Sequence, residues 1–358
     1  MTHQSFIRRA ISQLPHTTWK IVQIGLAGYG LFMIVYLLAR LLTGEAWAWV
    51  LIANNFVPWW ALGGAIAAGI ALFSRYRLLL VALQLPILIV FVVWYGDLLW
   101  PPPSPAVQAN TADPDTIDLT VATYNIRASH SDPYRITETI TTFDADMIGL
   151  QELDSSHAAV IFSALAEVYP YNYHFKMASP SGNEMNVGIL SRYAILTEER
   201  YTDRTHGRDV RLLVDVEGIT ISVYLEHPNS PQHAFSPIDY DPTFHDIKIS
   251  NLADELASDP RPVIVLCDCN MTDQSETYRQ LNDLLIDSFR EIGWGLGFTF
   301  PAHPLFGSPV TVPMLRLDYI WHSDHFIATD IHVGHDSGSS DHFPVIATLR
   351  LPKDTVIE

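Results

Sequence analysis

The sequence predicts an α/β domain behind an N-terminal helical transmembrane region of about three spans. Three observations predict it. The first is charge: residues 1–100 hold 6 Lys/Arg (Arg8, Arg9, Lys20, Arg40, Arg75 and Arg77) against 2 acids (Glu45 and Asp97). The rest of the 358-residue chain holds the other 15 of its 21 basic and 37 of its 39 acidic side chains, a net of −22. The second is a set of apolar runs confined to that basic third, and the third is an alternation of strand and helix patterns from residue 117 to 351. An apolar content of 48% with 17% charged residues excludes a collagenous, low-complexity or wholly disordered chain. Two cysteines exclude a disulfide framework.

A spanning helix needs about 20 mostly apolar residues. Residues 21–42 meet that, interrupted by Gln23 and by a terminal Arg40 that can snorkel. Residues 49–73 form a second candidate, weakened at its start by Asn54, Asn55 and Pro58, and residues 78–95 a third, with Gln84 and Pro86 inside. Trp47, Trp49, Trp59, Trp60, Trp94 and Trp100 fall near the expected ends, where amphipathic rings favour the headgroup layer. A cleaved signal peptide does not fit, because its apolar core is about 7–15 residues and is not followed by two further apolar runs. Arg8, Arg9 and Lys20 before the first span, and Arg75 and Arg77 before the third, place those ends in the cytoplasm. The expectation is a multi-pass protein of the cytoplasmic (inner) membrane with the large domain outside the cytoplasm. A re-entrant second segment would reverse that. Residues 1–99 are then the transmembrane region and 100–116 a Pro-rich linker (Pro101-Pro102-Pro103-Ser104-Pro105) stiffened by its prolines. The domain follows at 117–351, with a tail at 352–358.

Within that domain, residues 117–124 alternate as a half-buried strand should. Helices are expected at 133–143, at 155–168 with Ser155 as its cap, and at 245–257. Further strands are expected at 147–151, 187–190, 211–216, 220–225, 263–266, 317–321, 327–333 and 345–349. Mixed strands and helices over about 235 residues imply one layered domain with helices outside sheets.

Polar residues recur where these apolar strands end. Asn125 closes T-Y-N-I-R, Glu152 closes I-G-L-Q-E, His227 closes V-Y-L-E-H, and Asp268 and Asn270 close V-I-V-L-C-D-C-N. Asp318 stands in R-L-D-Y-I, and Asp341 and His342 in G-S-S-D-H-F-P. One such carboxylate is ordinarily a turn or cap residue. So many in one domain need a common explanation.

The stretches Y-N-I (124–126), Q-E (151–152), L-E-H-P (225–228), D-C-N (268–270), L-D-Y-I (317–320) and S-D-H-F-P (340–344) resemble, in order, the motifs of the endonuclease/exonuclease/phosphatase superfamily. That group includes deoxyribonucleases, apurinic endonucleases, inositol-phosphate 5-phosphatases and bacterial sphingomyelinases. The likeness covers residues 117–351 and implies a two-sheet α/β sandwich with the site at one rim. It departs from the family at Cys267, where a glycine is usual. It also implies roles. Glu152, Asn125 and Asp341 would lie at a divalent metal, Mg²⁺ or Mn²⁺, whose preference for hard oxygen ligands Glu152 suits. Asp268 would orient or deprotonate the attacking water, and Asn270 would donate to the phosphate. His342 would be held by Asp318, and His227 would contact the phosphate or protonate the leaving oxygen. Asn183 and Asn186 resemble substrate-side positions.

Other features carry less. Cys267 and Cys269 flank Asp268 and are expected as buried, unbridged packing residues. His303, His322, His325, His332 and His335 are expected on the surface or in loops, because no H-E-x-x-H or C-x-x-C pattern accompanies them. The basic cluster Arg204, His206, Arg208 and Arg211 is either a solvated loop or a clamp for one phosphate, with Arg208 the candidate contact.

The charge bears on the partner. A nucleic-acid domain usually shows a basic stripe, whereas −22 opposes an extended polyanion. The expectation is therefore a membrane-anchored, metal-dependent phosphoester hydrolase of phosphodiesterase or phosphatase type, acting on a lipid headgroup or small phosphoester. A metal-dependent nuclease is the alternative. A catalytically dead, membrane-anchored binding protein is the second, opposed by the presence of Glu152, Asp268, Asn270, Asp318 and His342 together.

Overall fold

The structure is a computed structural model that describes residues 16–101, 115–176, 186–202, 208–231, 240–304 and 311–354. It divides into two compact units, Met1–Asp97 and Leu98–Glu358. Most of the expected linker (102–114) and the end of the tail (355–358) lie outside the described residues.

The first unit contains helices α1 (His16–Thr43), α2 (Ala48–Asn54), α3 (Val57–Ala71), α4 (Arg77–Ala82) and α5 (Leu85–Tyr95). Two stretches, Thr17–Thr43 and Arg77–Tyr95, are long and apolar enough to cross a membrane. The expected span at 49–73 is instead the pair α2–α3, bent by 76°, which is either a broken span or a re-entrant loop. Pro58 opens α3 and cannot donate back to the preceding turn, so the ladder stops between the two helices. Asn54 is buried at the break and bonded through both ends of its amide. Its Oδ1 accepts from the Tyr36 hydroxyl at 2.7 Å and from Arg40 at 2.8 Å, and its Nδ2 donates to Glu45 at 2.6 Å. Arg40 therefore does not simply snorkel: its guanidinium bonds Asn54 and lies 4.2 Å from the Trp94 ring centroid. Gln84 donates to the Leu26 and Leu80 carbonyls and Gln23 to the Ser74 hydroxyl, so these amide donors are used inside the unit.

The second unit is a two-sheet sandwich. In chain order its elements are β1 (Thr116–Asn125), α6 (Pro133–Ile140), β2 (Met147–Gln151), α7 (Ser155–Leu165), β3 (Tyr171–Phe175), β4 (Val187–Ser191), β5 (Ala194–Thr202), β6 (Arg208–Val216), β7 (Ile219–Glu226), α8 (Thr243–Ser258), β8 (Val263–Asp268), α9 (Glu276–Asn282), β9 (Ile286–Asp287), α10 (Ser288–Ile292), β10 (Asp318–His322), β11 (Ile327–Val333) and β12 (Val345–Pro352). One sheet runs β11-β12-β1-β2-β4-β3 and the other β5-β6-β7-β8-β10-β9. Strand alternation sorts the side chains. Ile117, Leu119 and Val121 of β1 meet Val223, Leu225, Ile264 and Leu266 of the second sheet in the inter-sheet core. Ala122 and Tyr124 face the other way, against Ile136, Ile140 and Ile161 of α6 and α7. Val265 and Cys267 do the same against Ile249, Leu252 and Leu256 of α8.

Each sheet has one central parallel pair, β1 with β2 and β7 with β8. Parallel neighbours end on the same side, so the carboxyl ends of four strands collect at one rim. Asn125 pairs with Gln151 at the end of the first pair and Glu226 with Cys267 at the end of the second. Antiparallel β10 begins there, with Asp318 opposite Asp268. Gln151 ties the sheets together at this rim, donating to Thr123 at 3.0 Å and to the Leu266 carbonyl at 3.3 Å.

Several local expectations are corrected. The cap of α7 is Asp154, whose carboxylate accepts from the His157 N–H, not Ser155. His322 is fully buried, with Nε2 2.8 Å from Glu291 Oε2. Cys267 and Cys269 are joined as a disulfide. β8 ends at Asp268, and their Cα atoms stand 5.1 Å apart, below the roughly 6.6 Å of two residues in an extended strand and inside the disulfide range.

Gly149 of β2 is where the sheets come nearest a side chain's limit. A Cβ there would stand 2.9 Å from the Leu266 Cβ and 3.2 Å from Leu225 Cδ2. Gly149→Ala is expected to destabilise the second unit by about 1–3 kcal/mol, read as a lowered thermal midpoint. An unchanged midpoint would mean that the sheets part at no cost.

Candidate active site

The rim gathers the strand-end residues around one carboxylate, Asp268. It closes β8 and is buried. Asn125, closing β1 in the opposite sheet, donates its Nδ2 to Asp268 Oδ2 at 2.7 Å and to Glu152 Oε1 at 3.0 Å. His227 Nε2 lies 3.6 Å from Asp268 Oδ2 and 3.8 Å from Glu152 Oε1. His342 Nε2 lies 3.9 Å from the same Asp268 oxygen, while its Nδ1 is 2.8 Å from Asp318 Oδ2. The Asn270 N–H donates to Asp268 Oδ1 at 3.2 Å, and its Nδ2 donates to the Pro228 carbonyl at 3.0 Å. Two polar atoms of this group, His227 Nδ1 and Asp318 Oδ1, are buried without a hydrogen-bond partner. Such atoms mark a place that another group completes.

The backbone is unusual at the same positions. Arg127, Glu152 and Asn270 adopt positive φ of 46°, 53° and 48°. Asparagine tolerates that region; arginine and glutamate are held there by their surroundings. The Ala128 N–H bonds the Glu152 carbonyl at 3.1 Å, and the Asn125 side chain accepts from the Arg127 N–H at 2.9 Å. Ser340 ties the last loop on, donating to the Asn125 carbonyl at 2.6 Å and accepting from the His342 N–H at 3.1 Å. The Phe300 ring packs at 4.9 Å from the His342 ring.

Burial dominates the electrostatics. It raises the Asp268 carboxyl above its ordinary range, opposed by the nearby His342 and His227 and reinforced by Asp318. For His342, burial disfavours the imidazolium but is outweighed by Asp318 and Asp268, and the ring is pushed up to about 10. It is therefore a cation at neutral pH.

Asp268, Asp318 and His342 also bring ligand-type atoms within 4.8 Å of one another. The His342 ring is tied through Nδ1 to Asp318 at 2.8 Å, an arrangement that suits a hydrogen-bonded relay. The oxygen donors fit a hard cation better, Glu152 first: its side chain is 40% exposed and faces Asn125 and His227. Asn125 turns its NH₂, rather than its oxygen, toward the carboxylates, and so bridges Glu152 and Asp268. Asp341 stands on the Arg127 side, 3.1 Å from that guanidinium.

Of the expected substrate-side residues, Asn186 is buried at the start of β4, where Val187 pairs with Gln151. Asn183 lies outside the described residues, as do Arg204, His206 and the side chain of Arg208 at the start of β6. Arg211 is engaged by Glu199 and by Asp259 at 3.3 Å. Sequence reasoning missed Arg127, Ser340 and Phe300. Arg127 and Ser340 sit inside quoted motifs, and only their neighbours drew attention. It also missed His245 and Lys248, which fall in the helix expected at 245–257.

The Endonuclease/Exonuclease/phosphatase family matches residues 122–342. Similar solved structures include an endonuclease/exonuclease/phosphatase from Beutenbergia cavernae, with TM-score 0.53 and 22% identity over 66% of this chain and 72% of that one. One from Bacteroides vulgatus gives 0.52 and 16% over 66% and 99%. A family protein from Leptotrichia buccalis gives 0.51 and 17% over 64% and 99%. These likenesses concern the fold. No curated protein matches the chain.

The raised His342 ring makes a stability prediction. A cation favoured by the fold contributes fully below its unfolded value of about 6.5, and its contribution is lost as pH rises through about 10. The difference in unfolding free energy between the parent protein and His342→Gln is expected to shrink steadily across that window. A difference independent of pH would mean that the ring is neutral in the folded protein.

Proposed function

The chain belongs to the Endonuclease/Exonuclease/phosphatase family, and from that premise we propose that it is a membrane-anchored, divalent-metal-dependent phosphoester hydrolase acting on a lipid headgroup or a small phosphoester. The observation that carries the activity is the buried Asp268 carboxylate, bridged by Asn125 to Glu152 and facing His227 and the His342–Asp318 pair.

A phosphoester needs a positioned water and relief of accumulating negative charge. Asp268, with its proton affinity raised by burial, is suited to accept the proton of an attacking water. His342, charged and fixed by Asp318, stabilises charge on the phosphoryl oxygens without rearranging. His227 contacts the phosphate or delivers a proton to the leaving oxygen, and its Nε2 is already turned toward Asp268 and Glu152. Asn270 keeps one amide hydrogen beyond the one given to Pro228 and can donate it to the phosphate. Glu152 would hold Mg²⁺ or Mn²⁺, with Asp341 near it; when bound, the cation polarises a non-bridging oxygen.

The substrate reading rests on charge and on the apolar helices. The residues after the first hundred carry −22, opposed to a long polyanion, whereas one headgroup presents few charges. Two or three apolar helices would keep the domain at a lipid surface, raising the effective concentration of headgroups. The basic residues before the first and third segments favour an inner-membrane protein with this domain outside the cytoplasm.

In the full-length protein supplied with Mg²⁺ or Mn²⁺, Asp268→Ala and His342→Ala are expected to lower turnover by about 10²–10⁴-fold with the fold intact, and chelation to abolish it. The assay compares plasmid DNA with phospholipids and phosphoinositides, with enzyme-free reactions as the blank and His342→Ala run beside the parent protein. Preferential headgroup cleavage supports the proposal. Efficient nicking of DNA replaces it with a nuclease, and full activity in either variant removes the site assignment.

A further inference from the structure

Resting on the hydrolase reading above, we infer that His245 and Lys248 of α8 are positioning residues that hold the two catalytic loops of the second sheet in register. Both lie on the buried face of α8, one turn apart, among Ile249, Leu252 and Leu256. Two polar side chains on an otherwise apolar face carry a desolvation cost unless each finds a partner. Their partners are backbone carbonyls of the loops that present the site. His245 Nε2 lies 2.9 Å from the Cys269 carbonyl, between Asp268 and Asn270. Lys248 Nζ donates to the His227 carbonyl at 3.2 Å and pairs with Glu226, the residue before His227, at 3.4 Å.

The two loops are also joined directly, because Asn270 donates to the Pro228 carbonyl. A closed circuit results: α8 to the Asp268–Asn270 loop through His245, across to the His227 loop through Asn270, and back to α8 through Lys248. The Cys267–Cys269 disulfide stiffens one limb, and His245 grips it at the second cysteine. Neither His245 nor Lys248 is placed among the groups that meet substrate. What they fix is the separation of His227 Nε2 and Asp268 Oδ2, 3.6 Å apart. Small errors in such a separation weaken catalysis before they weaken binding.

The alternative is that the two side chains merely satisfy carbonyls and stabilise the fold. The full-length protein distinguishes these with His245→Ala, His245→Gln, Lys248→Arg and the double variant Glu226→Gln/Lys248→Met, which avoids stranding a buried charge. The readouts are bis(4-nitrophenyl) phosphate turnover with Mn²⁺, thermal midpoint, and amide exchange of peptides 226–231 and 267–272. Expected for His245→Ala and the double variant is a kcat lower by about 10–100-fold, KM within about threefold, and faster exchange confined to those two peptides. His245→Gln and Lys248→Arg, which keep a donor, recover most of the loss. Unchanged kcat, or exchange rising evenly through the unit, would overturn the inference. If the parent protein hydrolyses neither this diester nor the lipid panel with either metal, the hydrolase reading fails. Exchange then decides alone: faster exchange in both loops upholds the clamp, and unchanged exchange removes it.

Discussion

A buried carboxylate governs the second unit. Asp268 has been taken out of water at the meeting point of two sheets, and such a group persists only when surrounding dipoles and charges answer it. Asn125 answers from the first sheet, the Asn270 N–H from the same loop, and His227 and His342 from two further loops. Asp318 secures one of these responses, holding the His342 ring by a 2.8 Å contact and, with Asp268, opposing the effect of burial on its charge. The arrangement is therefore one coupled charge system rather than a set of separate contacts.

That system constrains the backbone around it. Both sheets contribute, so the sandwich must close tightly at this rim, and Gly149 and the Gln151 cross-tie are where it does. Loops that must turn a side chain back toward a strand end adopt conformations costly elsewhere, which explains the left-handed Arg127, Glu152 and Asn270. Strain of this kind needs support from behind. The α8 contacts to Cys269 and His227 supply it for the second sheet, and the Ser340 bond to the Asn125 carbonyl supplies it for the first.

Much of this was legible in the sequence, for a physical reason. A strand buried on both faces is an apolar run, so a polar residue at its end stands out against it, as Glu152, His227 and Asp268 did, while Asn125 closed an alternating strand. The edge strand β3 was not legible because Y-N-Y-H-F carries no run of that kind and is half exposed. The break between α2 and α3 was visible as Asn54, Asn55 and Pro58, but its sharpness depends on a polar hub assembled from α1. The support from His245 and Lys248 had no signature, since a side chain bonding a distant carbonyl leaves no spacing or motif. The disulfide was misjudged from an extended-strand geometry that ends one residue too early.

The acidity of the second unit acquires a sharper meaning from where its cations go. Arg192 is held by Asp144 and Asp146, Arg211 by Glu199 and Asp259, Arg290 by Asp273, Arg316 by Asp287 and Arg350 by Asp118. Lys248 serves Glu226 beneath the site. Among the described residues, these committed charges present no continuous positive track to a polymer. At the rim, Arg127 is the guanidinium of the Asn125 loop, and it is shared with Asp341. A ligand must therefore compete with a carboxylate for this cation, a contest that one phosphate group can enter with two oxygens and a strong local charge. A long backbone gains little from a shared cation and meets the domain's negative potential along its length. Among the described residues, this arrangement agrees with the proposed lipid-headgroup or small-phosphoester substrate.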